Sequence, residues 1–287
     1  MNQKLFTTSL LIGTLLLTAC GNNKAQEATK TEDKTAIVTK KTVDLSKETD
    51  AYKVFTVEQI DLFVKDTDKF VSAFKAGKID EAKKIYPKAR MYFERSEPVA
   101  ESFGDLDPRI DARLADMEAE GKEKEWSGYH KLEKALWVEN KTKGYEKVAD
   151  QLLKDAKELR AKVDTAEVTP KLMLQGSIDL LNEVSTSKIT GEEEIFSHTD
   201  LYDFKANIEG AEKIFSLFEE KIKAKDDKLA QNIQSKFDAV NTLLKKHEVG
   251  NGDYVSYEKL SKEDTKKLST AVDQLGEPLS QMAIILE

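Results

Sequence analysis

Cysteine is almost absent from this chain: its 287 residues include one, Cys20, so no internal disulfide can form. Glycine and proline are also scarce, at 13 and 5 residues, while 34% of the residues are charged. That balance argues against a turn-rich β-sandwich and suits long, solvent-facing helices. Charge of one sign is not concentrated anywhere. The 53 acidic and 45 basic residues are interspersed and leave a net charge of −8, which argues against nucleic acid as a partner. Beyond the N-terminal segment, no apolar run approaches the roughly 20 residues that cross a bilayer as a helix. HExxH, which supplies two zinc ligands and a general base in many metallopeptidases, does not occur.

What is present begins with an export signal. Lys4 precedes an apolar stretch from Leu10 to Leu17, which stops at Thr18-Ala19-Cys20. The stretch is too short to span a bilayer and ends in small residues, as a cleavage site does, so residues 1–19 read as a signal peptide. Leu17-Thr18-Ala19-Cys20 resembles the lipobox of bacterial lipoproteins. That resemblance implies that Cys20 becomes the lipidated first residue and anchors the chain to the extracytoplasmic face of the cell membrane. From Gly21 to about Asp50 the chain is mostly Lys, Thr, Glu, Asn and Ala, too polar to bury a core. Residues 20–50 are therefore expected to form a disordered tether.

From there on, apolar residues recur at spacings of three and four. Ile60, Phe63, Val64, Thr67, Phe70, Val71 and Phe74 mark one face of an amphipathic helix. Similar patterns cover about 79–103, 108–120, 125–139, 143–163, 168–187, 199–224, 226–246 and 262–285, separated by Gly, Asn or Pro. No alternating strand pattern interrupts them. The expected fold is all-α: two antiparallel, four-helix-bundle-like lobes at about 51–165 and 166–287, joined near Asp164–Pro170.

The chemistry lies in three segments. Glu94, Glu97 and Glu101 stand at i, i+3 and i+7 on one helix face, where like charges repel by a few tenths of a kcal/mol per pair when solvated. Arg90, Arg95 or a bound metal ion would offset them. Pro98 lacks an N–H and crowds the carbonyl of Glu94, so the helix is expected to kink there. Next, Asp107 reads as an N-cap with Pro108 at the first helical position, and Asp111 sits one turn later, as dipole partner or as ligand. His130 and Glu133 then lie three apart beside the stripe Tyr129, Leu132 and Leu136, so one ion can reach both. Finally, Thr190 and Glu193 have the spacing of a capping box, Glu194 and His198 form an i,i+4 pair, and His247 suits a helix C-terminus.

Glu94-Arg-Ser-Glu97-Pro, Gly128-Tyr-His130-Lys-Leu-Glu133, Ser197-His-Thr-Asp-Leu and Leu275-Gly-Glu-Pro-Leu-Ser, in this order, resemble the imelysin-like family, and within it the EfeO/EfeM branch of iron-uptake lipoproteins. The resemblance runs from about residue 55 to the end. It implies a bilobal helical fold with a metal site around the GxHxxE segment and the acidic helix before it. Glu94, Glu97, Asp111, His130 and Glu133 are then candidate ligands, joined by Glu194 from the Glu192–Glu194 cluster. It also implies iron as cargo, Fe³⁺ or Fe²⁺, with zinc or another divalent ion able to bind in vitro. The partners it implies are an iron permease and a secreted haem peroxidase. Many EfeO proteins carry an N-terminal cupredoxin domain, whereas this chain has neither the strands nor the Cys/His/Met set for copper.

Three functions follow from these residues. A site of one imidazole and several carboxylates suits iron capture and delivery, without catalysis. A zinc-dependent metallopeptidase would need an open coordination position and a general base. A metal-free helical adhesion or scaffold lipoprotein would leave its acidic faces solvated, and its thermal melt would ignore metals.

Overall fold

The stripe Ile60, Phe63, Thr67, Phe70 and Phe74 is fully buried along α1 (Ser46–Lys75) in the computed structural model, which describes residues 43–286. The signal peptide, Cys20 and most of the tether lie outside the described residues. The tether ends sooner than Asp50. Helix α1 starts at Ser46, because Leu45, Glu48 and Thr49 are buried and Asp44 Oδ1 accepts the Ser46 N–H at 3.0 Å.

The remaining helices follow the apolar periodicity: α2 (Ile79–Ala100), α3 (Leu106–Asp111), α4 (Leu114–Ala119), α5 (Gly128–Trp137), α6 (Glu146–Val163), α7 (Pro170–Thr186), α8 (Asp200–Lys225), α9 (Asp227–Lys245) and α10 (Lys262–Leu286). The fold is all-α apart from one small antiparallel ribbon, β1 (Glu248–Gly250) with β2 (Asp253–Tyr254). Its turn is Asn251-Gly252, both at positive φ, which is hairpin chemistry that helical periodicity does not reveal.

Two apolar cores divide between Val163 and Ala166. The first gathers α1, α2, α3, α5 and α6 around Tyr129, whose ring stacks on Phe70 at 5.4 Å and meets Tyr86 edge-on at 5.6 Å. The second gathers α7 to α10 around Phe204, Phe215, Phe218 and Phe237, and also takes Leu45 and Tyr52 from the α1 end and Val99 from α2. Each buried Phe contributes about 1.5–3 kcal/mol.

Helix α2 is wedged between these cores. A Cβ on Gly210 of α8 would lie 2.7 Å from the Arg95 carbonyl, and one on Gly176 of α7 would lie 2.5 Å from the Pro98 ring. Larger residues there would force α2 away from the second core. Pro98 does not end α2. The helix continues to Ala100 and tightens into a 3₁₀ turn, Glu101–Phe103.

The single helix expected over 108–120 is instead α3 and α4, broken where Ala112 and Arg113 are extended, with ψ of 128° and 156°. Tertiary contacts explain the break. The carbonyl ends of α3 are taken by the start of α5: Trp126 Nε1 donates to Ala112 O at 2.7 Å, and Ser127 Oγ to Arg109 O at 3.0 Å. Gly128, at φ +81°, permits this approach, since a Cβ there would fall 2.2 Å from Ile110 O. Asp107 is not the N-cap, because α3 begins one residue before it at Leu106.

Candidate metal centre

The start of α5 places His130, 2% exposed, between the two cores with both ring nitrogens facing carboxylates. Nδ1 lies 3.3 Å from Glu133 Oε2 and 3.9 Å from Glu194 Oε1. Nε2 lies 3.7 Å from Asp111 Oδ1 and 3.8 Å from Glu193 Oε1, and has no hydrogen-bond partner. Asp111 is the last residue of α3, so the break after it turns this carboxylate inward.

Glu193 and Glu194 come from the irregular segment before α8. Glu133 Oε1 accepts the N–H groups of Phe196 at 3.0 Å and Ser197 at 2.7 Å, and Asp200 Oδ1 accepts the Glu194 N–H at 3.1 Å. Glu194 accepts in turn from Ser197 Oγ at 2.7 Å and Tyr86 OH at 3.2 Å. No helix starts at Thr190, so Thr190 and Glu193 form no capping box. His198 turns away from Glu194, with Nε2 at 3.7 Å from Glu258. Glu192 is exposed, whereas Glu193 and Glu194 are buried on opposite sides of the imidazole.

Two buried cations share this acidic space. The Arg90 guanidinium pairs with Glu94 and Glu194, each at 2.7 Å, with Asp203 at 3.3 Å, with Glu193 at 3.4 Å, and with Asp111. Lys188, fully buried, pairs with Glu94, with Glu183 at 3.2 Å and with Glu193 at 3.9 Å. Asn207 of α8 donates to Glu94 Oε2 at 3.2 Å and Glu97 Oε2 at 2.9 Å.

Arg90 and Lys188 do not balance the charge of Glu94, Glu97, Asp111, Glu133, Glu193, Glu194 and Asp203. Burial accordingly pushes Glu94 up to about 7, against the pull of Lys188 and Arg90. Burial also drives Glu97, Glu194 and Asp203 well above the usual carboxylate range, reinforced by Glu183 beside Glu97, Glu133 beside Glu194 and Glu94 beside Asp203. Asp111 and Glu133 behave oppositely. Burial opposes their ionisation, but Arg90 and His130 at Asp111, and His130 and the Ser197 amide at Glu133, hold them below the usual range. The two acids held below the usual range thus lie on either side of His130.

Two sets of atoms are close enough to hold one ion: Asp111, His130 and Glu193, and His130, Glu133 and Glu194. Their imidazole and carboxylate donors fit a hard or borderline cation. Glu94 and Glu97 stand outside both sets. Glu94 is committed to Arg90, Lys188 and Asn207, while Glu97 lines an acidic cleft of about 270 Å³ together with Asp111 and Glu193. Asp107, on the same cleft, is pushed up to about 7 by burial and by Asp111.

Sequence reasoning did not single out Glu193 as a candidate ligand, nor Lys188, Asp200, Asp203 and Asn207 as parts of the cluster. The only available signal was the spacing of the last three, at i, i+3 and i+7 on α8. Among the described residues, no helix is long and apolar enough to cross a membrane.

The family model described as imelysin matches residues 48–282. An Efem/EfeO family lipoprotein from Staphylococcus haemolyticus (strain JCSC1435) is 58% identical over 288 residues, covering 99% of this chain and 100% of that relative. Another of that name, from Staphylococcus aureus (strain MSSA476), is 63% identical over 245 residues, or 85% of this chain and 86% of its own length. A crystal structure described as an iron-regulated protein A precursor from Parabacteroides distasonis ATCC 8503 superposes with a TM-score of 0.64 over 87% of this chain and 97% of that one. At 14% identity, that likeness concerns the fold.

Proposed function

The chain belongs to the imelysin family, in its EfeM/EfeO lipoprotein branch, and on that premise we propose that it captures an iron ion outside the cell membrane and delivers it to an uptake permease. Cys20 would be lipidated and hold the protein at the membrane. The observation that carries the proposal is His130 Nε2, a buried nitrogen without a hydrogen-bond partner, facing carboxylates on a site that is short of positive charge.

The ion acts as the missing cation. It relieves repulsion among carboxylates that would otherwise take up protons, so ion and protons compete and affinity falls as the pH drops. The ligands are His130 with Asp111 and Glu193 on one ring nitrogen, or with Glu133 and Glu194 on the other, while Glu94 and Glu97 keep the surrounding helix and cleft acidic. Oxygen-rich donors favour iron over softer ions, and Fe³⁺ or Fe²⁺ is the cargo, with zinc as an in vitro substitute. A secreted haem peroxidase would act beside the permease in the same system.

The site serves transport rather than catalysis. A zinc peptidase needs a water on the metal and a base free to activate it. Here Glu133 is engaged by two backbone amides and Glu194 by Tyr86, Ser197 and Arg90. Casein cleavage that a chelator abolishes would overturn this assignment. The direct test is calorimetry with metal analysis on the chain from Gly21 onward, using Fe³⁺ as citrate, anaerobic Fe²⁺ and Zn²⁺, beside a His130→Ala plus Glu133→Ala variant. Iron binding lost in the variant supports the site. Iron binding unchanged by the double substitution places it elsewhere, and no binding at all leaves a scaffold lipoprotein.

A further inference from the structure

The carboxylates that face the two nitrogens of His130 differ in their access to solvent. On the Nδ1 side, Glu133 and Glu194 are fully buried. On the Nε2 side, Asp111 and Glu193 line the acidic cleft, together with Glu101, Asp107, Asp116 and Glu183. Acidic walls alone would signify only a solvated face. Nε2 is the independent sign of a ligand: it belongs to a side chain 98% buried, has no hydrogen-bond partner, and faces one oxygen of each of the cleft residues Asp111 and Glu193.

A neutral imidazole offers one bare nitrogen at a time, because the other carries the proton. An ion on Nε2 therefore leaves an N–H on Nδ1, where Glu133 Oε2 stands 3.3 Å away to accept it. An ion on Nδ1 leaves an N–H on Nε2, facing Asp111 and Glu193. Either arrangement keeps both ring nitrogens satisfied, and neither leaves room for two ions on one neutral ring.

We propose that the site is two stations used in succession: an outer one of Asp111, Glu193 and His130 Nε2, where a divalent cation arrives through the cleft, and an inner one of His130 Nδ1, Glu133 and Glu194. This deepens the metal-binding function proposed above and rests on it. Arg113 guards the outer station. Extended backbone between α3 and α4 holds its guanidinium on Asp116, at 2.8 and 2.9 Å, with Nη1 3.6 Å from Glu193 Oε2. An arriving ion must take Glu193 from Arg113. Arg90, which touches Asp111, Glu193 and Glu194, serves both stations alike and does not choose between them.

The test loads ¹¹³Cd²⁺ onto the chain from Gly21 onward, labelled with ¹⁵N-histidine, and reads which nitrogen of His130 couples to the metal. With the inner station disabled (Glu133→Gln, Glu194→Gln), coupling is expected at Nε2. With the outer station disabled (Asp111→Asn, Glu193→Gln), it is expected at Nδ1, and association should slow at least tenfold. Arg113→Gln, a substitution on the rim, should speed association about threefold or more at low ionic strength without moving the coupling. Coupling at the same nitrogen in both double variants, or loss of all binding when only the inner station is disabled, overturns the two stations while leaving a metal site. An association rate unchanged in Arg113→Gln overturns the guard and with it entry through the cleft. A wild-type chain that binds no Cd²⁺, Fe²⁺ or Fe³⁺ overturns the metal-binding function itself.

Discussion

The side-chain amide of Asn207 donates to the backbone carbonyl of Glu94 at 3.1 Å, four residues before Pro98. Proline has no N–H to complete the helical bond to that carbonyl. A residue of α8 thus repairs the ladder of α2, and the same amide reaches Glu94 Oε2 and Glu97 Oε2. The proline that interrupts the acidic helix thereby ties it to the second core.

Asn207→Ala should destabilise the protein by about 1–3 kcal/mol, the penalty for a buried acceptor left without a donor. Urea unfolding measures it. Pro98→Ala restores the missing N–H, so Asn207→Ala should cost less when made in that background. Equal losses in both backgrounds would mean that the bond to the Glu94 carbonyl contributes nothing.

Arg90→Met removes a cation shared by five carboxylates, and breaking such a buried network costs about 3–5 kcal/mol. Protons can replace the lost charge, so the deficit relative to wild type should be larger at pH 8 than at pH 5.5. Denaturation at the two values checks this; a deficit independent of pH would contradict the charge argument.

The metal-free protein should lose stability as the pH rises from about 5 to 8. Glu94 titrates near 7 in the folded chain against an ordinary 4.5, so over that interval the folded state binds more protons than the unfolded state, and unfolding becomes easier with rising pH. Glu97, Glu194 and Asp203 act in the same direction. Asp111 and Glu133, held low, contribute stability that is lost only as the pH falls below their ordinary values. Bound iron should reverse the trend above pH 5, because it takes the place of those protons. Thermal melts with and without metal across this range decide the matter.

Glu133→Gln keeps an oxygen for the Phe196 and Ser197 amides but removes the charge. Iron affinity should fall at least tenfold, the lower end of what even an outer-sphere change costs a metal site, with the metal-free melt little changed. Glu133→Ala should lower both, since two buried N–H groups then lose their acceptor. Equal metal-free melts for Gln and Ala would show that the loop does not depend on Glu133.

The helices were legible in the sequence because a stripe such as Ile60, Phe63, Phe70 and Phe74 has one meaning at helical spacing. The break between α3 and α4 was not, because Trp126, Ser127 and Gly128, more than a dozen residues on, cause it by taking the α3 carbonyls. The start of α1 was missed for a similar reason: Leu45 earns its burial from the second core, far along the chain. At the site, His130, Glu133, Asp111 and Glu194 were reachable from motif and resemblance. Glu193 was not separable from its neighbours, since an irregular segment has no period to say which of three adjacent acids turns inward. Glu94 and Glu97 lie in neither candidate set, and the partners that engage them, Lys188 and Asn207, are about a hundred residues away, beyond the reach of local spacing.

The irregular segment that carries Glu193 and Glu194 lies beyond the division between the cores, whereas Asp111, His130 and Glu133 lie before it. Cutting the gene at that division would give two products, each with part of the carboxylate cluster around His130 and neither with all of it. Expression of either half alone would fail to conserve the site. The two cores fall within one compact unit, and the candidate site draws on both sides of the division.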